Sequence, residues 1–425
     1  MKIIDYSKDR KNLLDSIMQR RMEYSEDFLT GVKKTIEEVR SKGDGALRDF
    51  TIKYDKVKID EFRVTQAEIN EALRKTPAAL LQSFKKARAI IQAFHRSTLL
   101  LGKPVETVSG VNVWREWRAI EKVGLYIPGG KASYPSTVLM LGIPAKLAGC
   151  KRIVLCSPPN QEGKISDVIL AACDIVGISE IYKVGGAQAI AALAYGTQSI
   201  PKIDKIFGPG NSYVTAAKLL IYPDADIDMP AGPTEIFIIA DQSANPRFIA
   251  ADFLSQLEHG QDSQAILVTT STVLAKAVQK EISAQVKNLE RKNIIDESLK
   301  KSFIILTRSL DEAASIANDY APEHLEIITK NPSGVLKKIM NVGSVFLGEF
   351  SPESAGDYAT GANHTLPTSG FAKTFSPISV ESFGKKIQVQ KLTEKGLLNI
   401  KNIAGEIASA EGLGAHKKAI DIRFE

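Results

Sequence analysis

Four of the five histidines lie beside carboxylates, amides or glycines in the C-terminal half of the chain: His259, His324, His364 and His416. Imidazole, amide and carboxylate groups suit a borderline metal such as zinc, and imidazole also exchanges protons near neutral pH. These residue types therefore indicate a metal site, proton transfer, or both. The fifth histidine, His95, stands on an apolar helical pattern and is interpreted as structural.

Gln256 and His259 are three residues apart in a pattern that predicts the last turn of a helix ended by Gly260. Side chains at this spacing leave a helix on the same face, so the two could converge on one ion. The alternative is a surface Gln256 and a His259 that interacts with the negative end of the helix. No H-E-x-x-H sequence is present, which excludes the metalloprotease pattern.

Glu323 and His324 follow a predicted helix end at Pro322 and precede a predicted strand. At such a corner a carboxylate and an imidazole lie close together, but their side chains point in different directions. Oxidation of an alcohol to an acid needs two bases, one for the hydroxyl proton and one to activate water. A solvated surface pair is the alternative interpretation.

Two further segments are polar and rich in glycine. The stretch 351–367 carries Asp357 and His364 and predicts a long ordered binding loop, with an ordinary turn-rich connection as the alternative. In the C-terminal tail, Glu411 and His416 are separated by two glycines, so the chain could bend and deliver both side chains into a site from outside.

Three glycine-rich segments follow predicted strands at 126–130, 185–188 and 207–211. Loops between a strand and a helix can hold nucleotide phosphates through backbone N–H groups and the helix N-terminus. The segments therefore indicate nucleotide binding. None of them is G-x-G-x-x-G, so the standard Rossmann fingerprint is absent.

Strand and helix patterns alternate from Val123 to Tyr222 and again from Glu235 to Leu347. Repeats of this length imply mainly parallel sheets covered by helices on both faces. The predicted fold class is thus α/β, with two doubly wound, incomplete Rossmann-like parallel-sheet domains and small N- and C-terminal extensions.

The predicted domain boundaries follow from where this alternation begins and ends. Helical patterns at 37–54 and 68–94, with a strand pair around Gly110, are expected to complete the second α/β domain. The tail of about 45 residues is too short for its own core and is expected to pack on another subunit. The predicted units are an N-terminal extension (1–25), a metal and catalytic domain (26–122 plus 235–378), an inserted NAD-binding domain (123–234) and a dimerisation tail (379–425).

Composition narrows the class of protein. A chain of 425 residues with 44% hydrophobic content predicts two or more packed domains. The net charge of +6 is spread without basic runs, which argues against nucleic-acid binding. The N-terminus lacks the apolar core of a signal peptide and no apolar stretch reaches membrane-spanning length, so we expect a cytoplasmic protein with no membrane partner.

The three cysteines, Cys150, Cys156 and Cys173, lie in apolar patterns without a C-x-x-C pair. They are predicted to be buried thiols. The alternative, a catalytic cysteine that forms a thioester with an aldehyde, has little support because no chemical motif described above contains a cysteine.

Together these motifs resemble the histidinol dehydrogenase family over nearly the whole chain. The most specific stretches are 124–130, 184–190, 207–211, 228–233, 254–260, 322–325 and 351–357. The resemblance implies an NAD-dependent, four-electron oxidation of L-histidinol to L-histidine by way of bound L-histidinal, the last step of histidine biosynthesis. It also implies a homodimer with shared active sites.

The resemblance further implies roles for individual residues. One zinc per subunit would be held by Gln256, His259 and Asp357 of one subunit and by His416 of the other. Glu323 and His324 would accept protons. The remaining expected contacts are Tyr126, Gln188 and Asn211 with NAD, and Thr234, His364 and Glu411 with the substrate, which also meets the four metal ligands and His324.

Position 234 departs from the family pattern, because Thr stands where the family commonly has Ser. The hydroxyl is kept, so we expect the hydrogen bond to survive and only local packing to differ.

Two other classes of protein remain as alternatives: a zinc-dependent hydrolase with a Glu-activated water, and a metabolite-binding protein without turnover.

Overall fold

The computed structural model describes residues 2–8, 17, 20, 24–98, 102–129, 133–230 and 232–425. Most of the predicted N-terminal extension lies outside these residues. So do Gly130 and Ala231, which belong to two of the family-like stretches.

The strands are numbered in chain order. They are β1 (Lys2–Asp5), β2 (Val105–Val108), β3 (Val111–Ala119), β4 (Lys122–Tyr126), β5 (Arg152–Ser157), β6 (Glu180–Lys183), β7 (Lys205–Phe207), β8 (Asp226–Ile227), β9 (Glu235–Ala240), β10 (Gln264–Thr269), β11 (Phe303–Leu306), β12 (His324–Ile328), β13 (Ser344–Leu347) and β14 (Gly384–Leu392).

The α-helices are numbered in the same way. They are α1 (Glu26–Lys42), α2 (Asp44–Phe50), α3 (Gln66–Lys75), α4 (Ala78–Ser97), α5 (Pro135–Ala148), α6 (Asp167–Val176), α7 (Gly186–Tyr195), α8 (Ser212–Ile221), α9 (Pro246–Leu257), α10 (Thr272–Gln285), α11 (Lys292–Leu299), α12 (Leu310–Tyr320), α13 (Pro332–Leu336), α14 (Glu353–Tyr358), α15 (Glu394–Ala410) and α16 (Gly414–Asp421).

The C-terminal half is organised around a six-stranded parallel sheet with the order β1-β11-β10-β9-β12-β13. Every residue of β9, β10 and β12 is buried, because helices cover both faces of these central strands. Strand β1, from the predicted N-terminal extension, forms one edge beside β11.

A second parallel sheet has five strands in the order β6-β5-β4-β7-β8. Strand β4 lies between β5 and β7. Strands β5 and β6 therefore extend the sheet on one side of β4, and β7 and β8 extend it on the other side. The two parallel sheets confirm the predicted α/β class, and the two predicted series, 123–222 and 235–347, do consist of alternating strands and helices.

The helices of the N-terminal third pack differently from the prediction. Helix α1 packs against α7 and α8, α3 against α6, and α4 against α5, all on the five-stranded sheet. The physical reason is that the apolar face of α1, formed by Val32, Ile36 and Val39, shares a core with Ile190 of α7. The predicted grouping of residues 26–122 with 235–378 is therefore wrong for these helices.

The C-terminal tail begins with β14, which pairs antiparallel with β3, and β2 completes this three-stranded sheet. Helices α15 and α16 follow and pack on each other. On α15, Leu398, Ile403 and Ile407 each expose more than half of their surface in the single chain. The tail thus carries an apolar surface, as a segment with no core of its own would.

Two predictions about composition can be compared with the structure. Cys150, Cys156 and Cys173 are buried free thiols, as predicted. Burial raises the pKa of Cys150 to about 11, which disfavours a reactive thiolate. Among the described residues, no helix combines the length and the apolar character that crossing a membrane requires.

A buried ion pair fixes the loop after β7. The side chains of Lys218 and Asp228 are almost fully buried and form a salt bridge. Lys218 Nζ also donates to the Gly208 carbonyl at 3.0 Å, while the Gly208 N–H donates to Asp228 Oδ2 at 2.8 Å. Gly208 has a φ of +124°, and a Cβ there would lie 2.0 Å from the Tyr126 carbonyl oxygen. Only glycine fits this crossing.

Lys218→Met should destabilise the fold by about 3 to 5 kcal/mol, because it leaves the Asp228 charge buried without its partner. The matched control is Lys151→Met, which removes a surface pair with Glu121 whose side chains are 76% and 62% exposed. The control should change stability by less than about 1 kcal/mol. Urea denaturation of both variants measures the difference, and equal midpoints would contradict the importance of the buried pair.

Candidate active site

The backbone of Glu235, the first residue of β9, positions the two predicted bases. Its N–H donates to Glu323 Oε2 at 2.9 Å, and its carbonyl lies 3.1 Å from His324 Nδ1. Strand pairing explains the arrangement, because His324 opens β12 directly opposite Ile236 of β9. A carbonyl can only accept a hydrogen bond, so Nδ1 carries the imidazole proton and Nε2 carries the lone pair.

The Glu235 side chain lies beneath this pair and is only 1% exposed. Burial raises the pKa of Glu235, and the Arg20 guanidinium, whose Nε is 2.5 Å from Glu235 Oε2, opposes that shift. The Ser369 N–H donates to Oε1 at 2.9 Å and the Tyr320 hydroxyl to Oε2 at 3.1 Å. These partners stabilise a buried carboxylate that would otherwise be unfavourable.

Glu323 receives a second hydrogen bond from Thr234, whose Oγ1 donates to Glu323 Oε2 at 2.6 Å. The same hydroxyl accepts a hydrogen bond from Gln256 Nε2. The threonine at position 234 therefore makes the side-chain hydrogen bond that a serine could also make. Burial raises the pKa of Glu323 well above its ordinary value, while the donors at Thr234 and Glu235 favour the carboxylate.

His324 is buried, and this burial lowers its pKa to about 4. Its Nε2 makes no hydrogen bond within the described part of the chain and lies 3.8 Å from Glu353 Oε1 and 3.9 Å from Asp357 Oδ1. The imidazole is therefore neutral at physiological pH, with its lone pair directed at the carboxylates of α14. This is the state that a general base requires.

Ligand atoms of His259, Glu353 and Asp357 lie within 4.8 Å of one another and could hold a metal ion. Glu353 and Asp357 are four residues apart on α14, so they share one face of that helix. The buried Oε1 of Gln256 has no hydrogen-bond partner among the described residues, which fits a metal ligand. Of the four predicted ligands, the structure brings Gln256, His259 and Asp357 to the same part of the site.

Two local predictions about these ligands need correction. Helix α9 ends at Leu257, so His259 lies beyond the helix and not on its last turn. The Ser298 hydroxyl is 3.4 Å from the Leu257 carbonyl and 2.6 Å from the Gly260 carbonyl, and these contacts stabilise the turn. The predicted loop at 351–367 begins with helix α14, which positions Asp357 more rigidly than a loop would.

Additional carboxyl groups lie beside the cluster of His259, Glu353 and Asp357. Glu326 Oε1 accepts the N–H of Glu353 at 2.9 Å, and Glu326 also interacts with Asp252 of α9. Burial, followed by the nearby Asp357 charge, raises the pKa of Glu353. Burial likewise raises the pKa of Asp252. A cation at the His259, Glu353 and Asp357 cluster would offset this accumulation of negative charge.

His364 connects the segment that carries Asp357 to the five-stranded sheet. Its Nδ1 donates to the Asp357 carbonyl at 3.1 Å, and its Nε2 lies 3.5 Å from the Thr137 hydroxyl on α5. The adjacent Asn363 donates to the Met140 carbonyl on α5 at 2.6 Å. The predicted substrate residue His364 therefore lies where the two parallel-sheet units meet.

The predicted NAD residues lie at the carboxyl edge of the five-stranded sheet. Tyr126 ends β4, Gln188 is in the first turn of α7, and Asn211 caps α8 by accepting the N–H groups of Tyr213 and Val214. The Tyr126 hydroxyl accepts the Gly186 N–H at 3.1 Å. A cavity of about 410 Å³ lies along this edge, lined by Gly129, by 157–160 and by 164–167 among others.

The two site residues of the tail are located apart from the rest. Glu411 and His416 are both exposed, at the end of α15 and on α16. Neither side chain makes a hydrogen bond or ion pair with the residues above, within the described ranges of this single chain. The expectation that they serve the site of a partner subunit therefore stays a prediction.

Comparison with known proteins is consistent with this geometry. The family model described as histidinol dehydrogenase matches residues 18–424. This chain belongs to the histidinol dehydrogenase family. A histidinol dehydrogenase from Bacteroides fragilis is 50% identical over 426 residues, which covers 100% of this chain and 99% of the relative. One from Methanothermobacter thermautotrophicus is 46% identical over 425 residues, with the same coverage.

The architecture also agrees with this family. The crystal structure of histidinol dehydrogenase from Elizabethkingia anophelis superimposes with a TM-score of 0.97 at 46% identity, and the match covers 100% of this chain and 98% of that one. The two parallel sheets and the small third sheet are therefore the histidinol dehydrogenase fold.

Sequence reasoning missed three residues of this histidinol dehydrogenase site: Glu235, Glu326 and Glu353. A signal was present for Glu235, since a charged residue opens an otherwise apolar strand, Ile236 to Ala240. Glu353 lies four residues before Asp357, but the prediction of a loop there concealed the shared helical face. Glu326 is a carboxylate inside a buried strand, which is itself a sign of function.

Proposed function

We propose that this chain oxidises L-histidinol to L-histidine through bound L-histidinal, using NAD and one zinc per subunit in a cytoplasmic homodimer. This reaction is the last step of histidine biosynthesis. The observation that carries the proposal is the buried, neutral His324, whose Nε2 lone pair faces the metal cluster with Glu323 beside it. Two bases of different chemistry at one site match the two oxidations.

The residues present fit a zinc ion. Gln256 offers a buried amide oxygen without a partner, and His259 and Asp357 add an imidazole and a carboxylate. Mixed N and O ligands suit zinc, which would supply a Lewis acid for holding the imidazole and amine of histidinol. His416 of the partner subunit would complete the set, as the family resemblance implies. Glu353 would counter the charge of the ion from the same cluster.

In the first oxidation, His324 Nε2 removes the proton of the substrate hydroxyl. The Glu235 carbonyl holds Nδ1–H and so favours the imidazolium that forms. The chemistry that NAD supplies when bound is acceptance of one hydride in each oxidation. Loss of that hydride and of the hydroxyl proton converts the alcohol to the aldehyde.

In the second oxidation, Glu323 removes a proton from the water that attacks the aldehyde. Both hydrogen bonds to Glu323, from Thr234 and from the Glu235 N–H, are made to Oε2. Oε1 therefore remains available to accept the proton. The resulting gem-diol loses a second hydride and a proton and becomes the carboxylic acid.

Support for NAD comes from the carboxyl edge of the five-stranded sheet. Tyr126 ends β4, Gln188 lies in the first turn of the helix after β6, and Asn211 caps the helix after β7. The cavity along the same edge is lined by residues of the loops after β4 and β5. Ligands of open α/β sheets bind at this edge, next to helix N-termini. The contacts of His364 and Asn363 with α5 bring this edge toward the catalytic residues.

A zinc hydrolase would use the same ligands with a Glu-activated water, but it would have no use for the nucleotide loops. The stoichiometry of the reaction separates the two classes. Incubation with limiting L-histidinol and excess NAD should give two NADH per L-histidinol consumed, measured by absorbance and by quantifying L-histidine. One NADH per substrate would contradict the four-electron reaction, and none would favour the hydrolase.

The two bases should have separable effects. Glu323→Gln should slow oxidation of supplied L-histidinal more than oxidation of L-histidinol to bound aldehyde, because only the later half needs activated water. His324→Asn should slow both halves. Single-turnover measurements of NADH with each substrate provide the comparison, and loss of the same step in both variants would contradict the assigned roles.

The homodimer is supported by the tail. Its apolar side chains Leu398, Ile403 and Ile407 are exposed in the single chain, and it carries Glu411 and His416. A symmetric dimer that exchanges tails would bury these side chains and bring both residues to the other subunit's site.

Two variants test this sharing. His259→Ala should lose both zinc and activity, and His416→Ala should be inactive as well. When the two are unfolded together and refolded, each mixed dimer should hold one intact site and show up to about half of normal activity. Zinc content and subunit composition are measured on the same sample. Confirmed heterodimers without recovered activity would show that His416 does not complete the partner's site.

A further inference from the structure

Asp55 carries a buried carboxylate oxygen that the proposed mechanism does not use. It ends a short π-helix (Thr51–Asp55), and its Oδ2 is buried and lacks a hydrogen-bond partner within the described ranges, while the residue as a whole is partly exposed. Desolvation raises the pKa of this carboxyl to about 6. A half-buried carboxylate without a partner is costly for the protein alone, so a ligand that offers donors would be favoured there.

The path of the chain places Asp55 at the nucleotide edge. The segment after Asp55 runs antiparallel to the edge strand β6, with Lys183 N–H donating to the Phe62 carbonyl and Val64 N–H to the Ile181 carbonyl, both at 2.8 Å. Residues before Phe62 therefore extend past the carboxyl end of β6. Asp55 lies on this extension.

Neighbouring residues agree with that placement. A methyl group at Gly163, in the loop after β5, would lie 3.0 Å from Ile59 Cδ1 and 3.6 Å from Val57 Cγ2. The Asp55 charge also acts on Tyr126, whose pKa rises to about 12, mainly through burial. Asp55 is thus close to the loops after β4 and β5, and the same loops line the cavity described above.

The lysines nearest to Asp55 in the sequence interact with other groups. Lys56 Nζ donates to the Lys53 carbonyl at 2.7 Å, and Lys53 Nζ lies over the Tyr54 ring. Lys58 Nζ is 3.9 Å from Asp60. No ion pair neutralises Asp55 in the described part of the chain. The carboxylate therefore keeps its full capacity to accept hydrogen bonds from neutral donors.

We propose that Asp55 binds the vicinal hydroxyls of a ribose of NAD. A carboxylate can accept both hydroxyl protons at once, and an acidic residue at this edge of a nucleotide-binding sheet is suited to that contact. The inference rests on the proposed use of NAD and adds a binding residue to it. The two riboses of NAD present the same pair of hydroxyls, and the titrations below distinguish them.

The test is the dissociation constant of NAD, measured by calorimetric titration of the purified protein and its variants. Asp55→Asn and Asp55→Ala should weaken NAD binding about 10- to 100-fold, the range expected for hydrogen bonds to a charged group. Asp60→Asn is the matched control, because Asp60 is exposed on the same segment and should leave the affinity unchanged. Urea denaturation without NAD should show both Asp55 variants at least as stable as the original chain.

Each outcome has a defined meaning. Unchanged NAD affinity in both Asp55 variants would overturn the proposal, as would weaker binding accompanied by an equal loss of stability without NAD. If AMP binding weakens together with NAD binding, Asp55 contacts the adenosine ribose; if only NAD binding weakens, it contacts the nicotinamide ribose. Failure of the original chain to bind NAD at all would instead contradict the proposed function.

Discussion

The active site depends on two main-chain hydrogen bonds made by one residue, Glu235. Its N–H binds Glu323 and its carbonyl binds His324, so the relative position of the two bases is set by the pairing of β9 with β12. Because Glu235 and His324 open adjacent strands of a buried parallel sheet, the two proposed bases are held in a fixed relative position. The Glu235 side chain binds Arg20 and Tyr320, so a residue from the N-terminal part of the chain contacts the residue that positions the two proposed bases.

The same site accumulates unfavourable electrostatics. Glu323, Glu326 and Glu353 are all buried, and burial raises the pKa of each. Buried atoms without partners occur on Gln256, His324 and Glu353. A fold selected for stability alone would not keep these groups, since each one is less favourable than an apolar replacement. In the proposed function, a cation and a polar substrate would supply the interactions that these three side chains lack within the single chain.

The fold was largely predictable because strand and helix periodicities in both α/β series are strong, and each series, 123–222 and 235–347, forms alternating strands and helices of a parallel sheet. Long-range packing was not predictable: an apolar helix face such as that of α1 does not say which sheet it will cover. For the site, too, local residue patterns were informative and long-range packing was not predictable. Residue type identified His324 and Asp357, but Glu235 acts through its backbone, and no residue pattern reports which main-chain groups strand pairing will bring together.

The proposed NAD residues and the proposed bases lie at opposite edges of their parallel sheets. The proposed site would therefore be completed by a further element, the C-terminal tail of a partner subunit. The proposed NAD residues lie at the carboxyl edge of the five-stranded sheet, as the rule for open α/β sheets predicts. The proposed bases instead lie where β9 and β12 begin, at the amino edge of the six-stranded sheet. At this edge of the single chain, His259 is exposed to solvent whereas His324 is buried. An aldehyde retained between two oxidations must be shielded from solvent. Since the exposed side is the one at which His259 lies, a partner's tail carrying Glu411 and His416 would cover the site and supply the last proposed ligand. Assembly of the proposed dimer would then be a condition of catalysis.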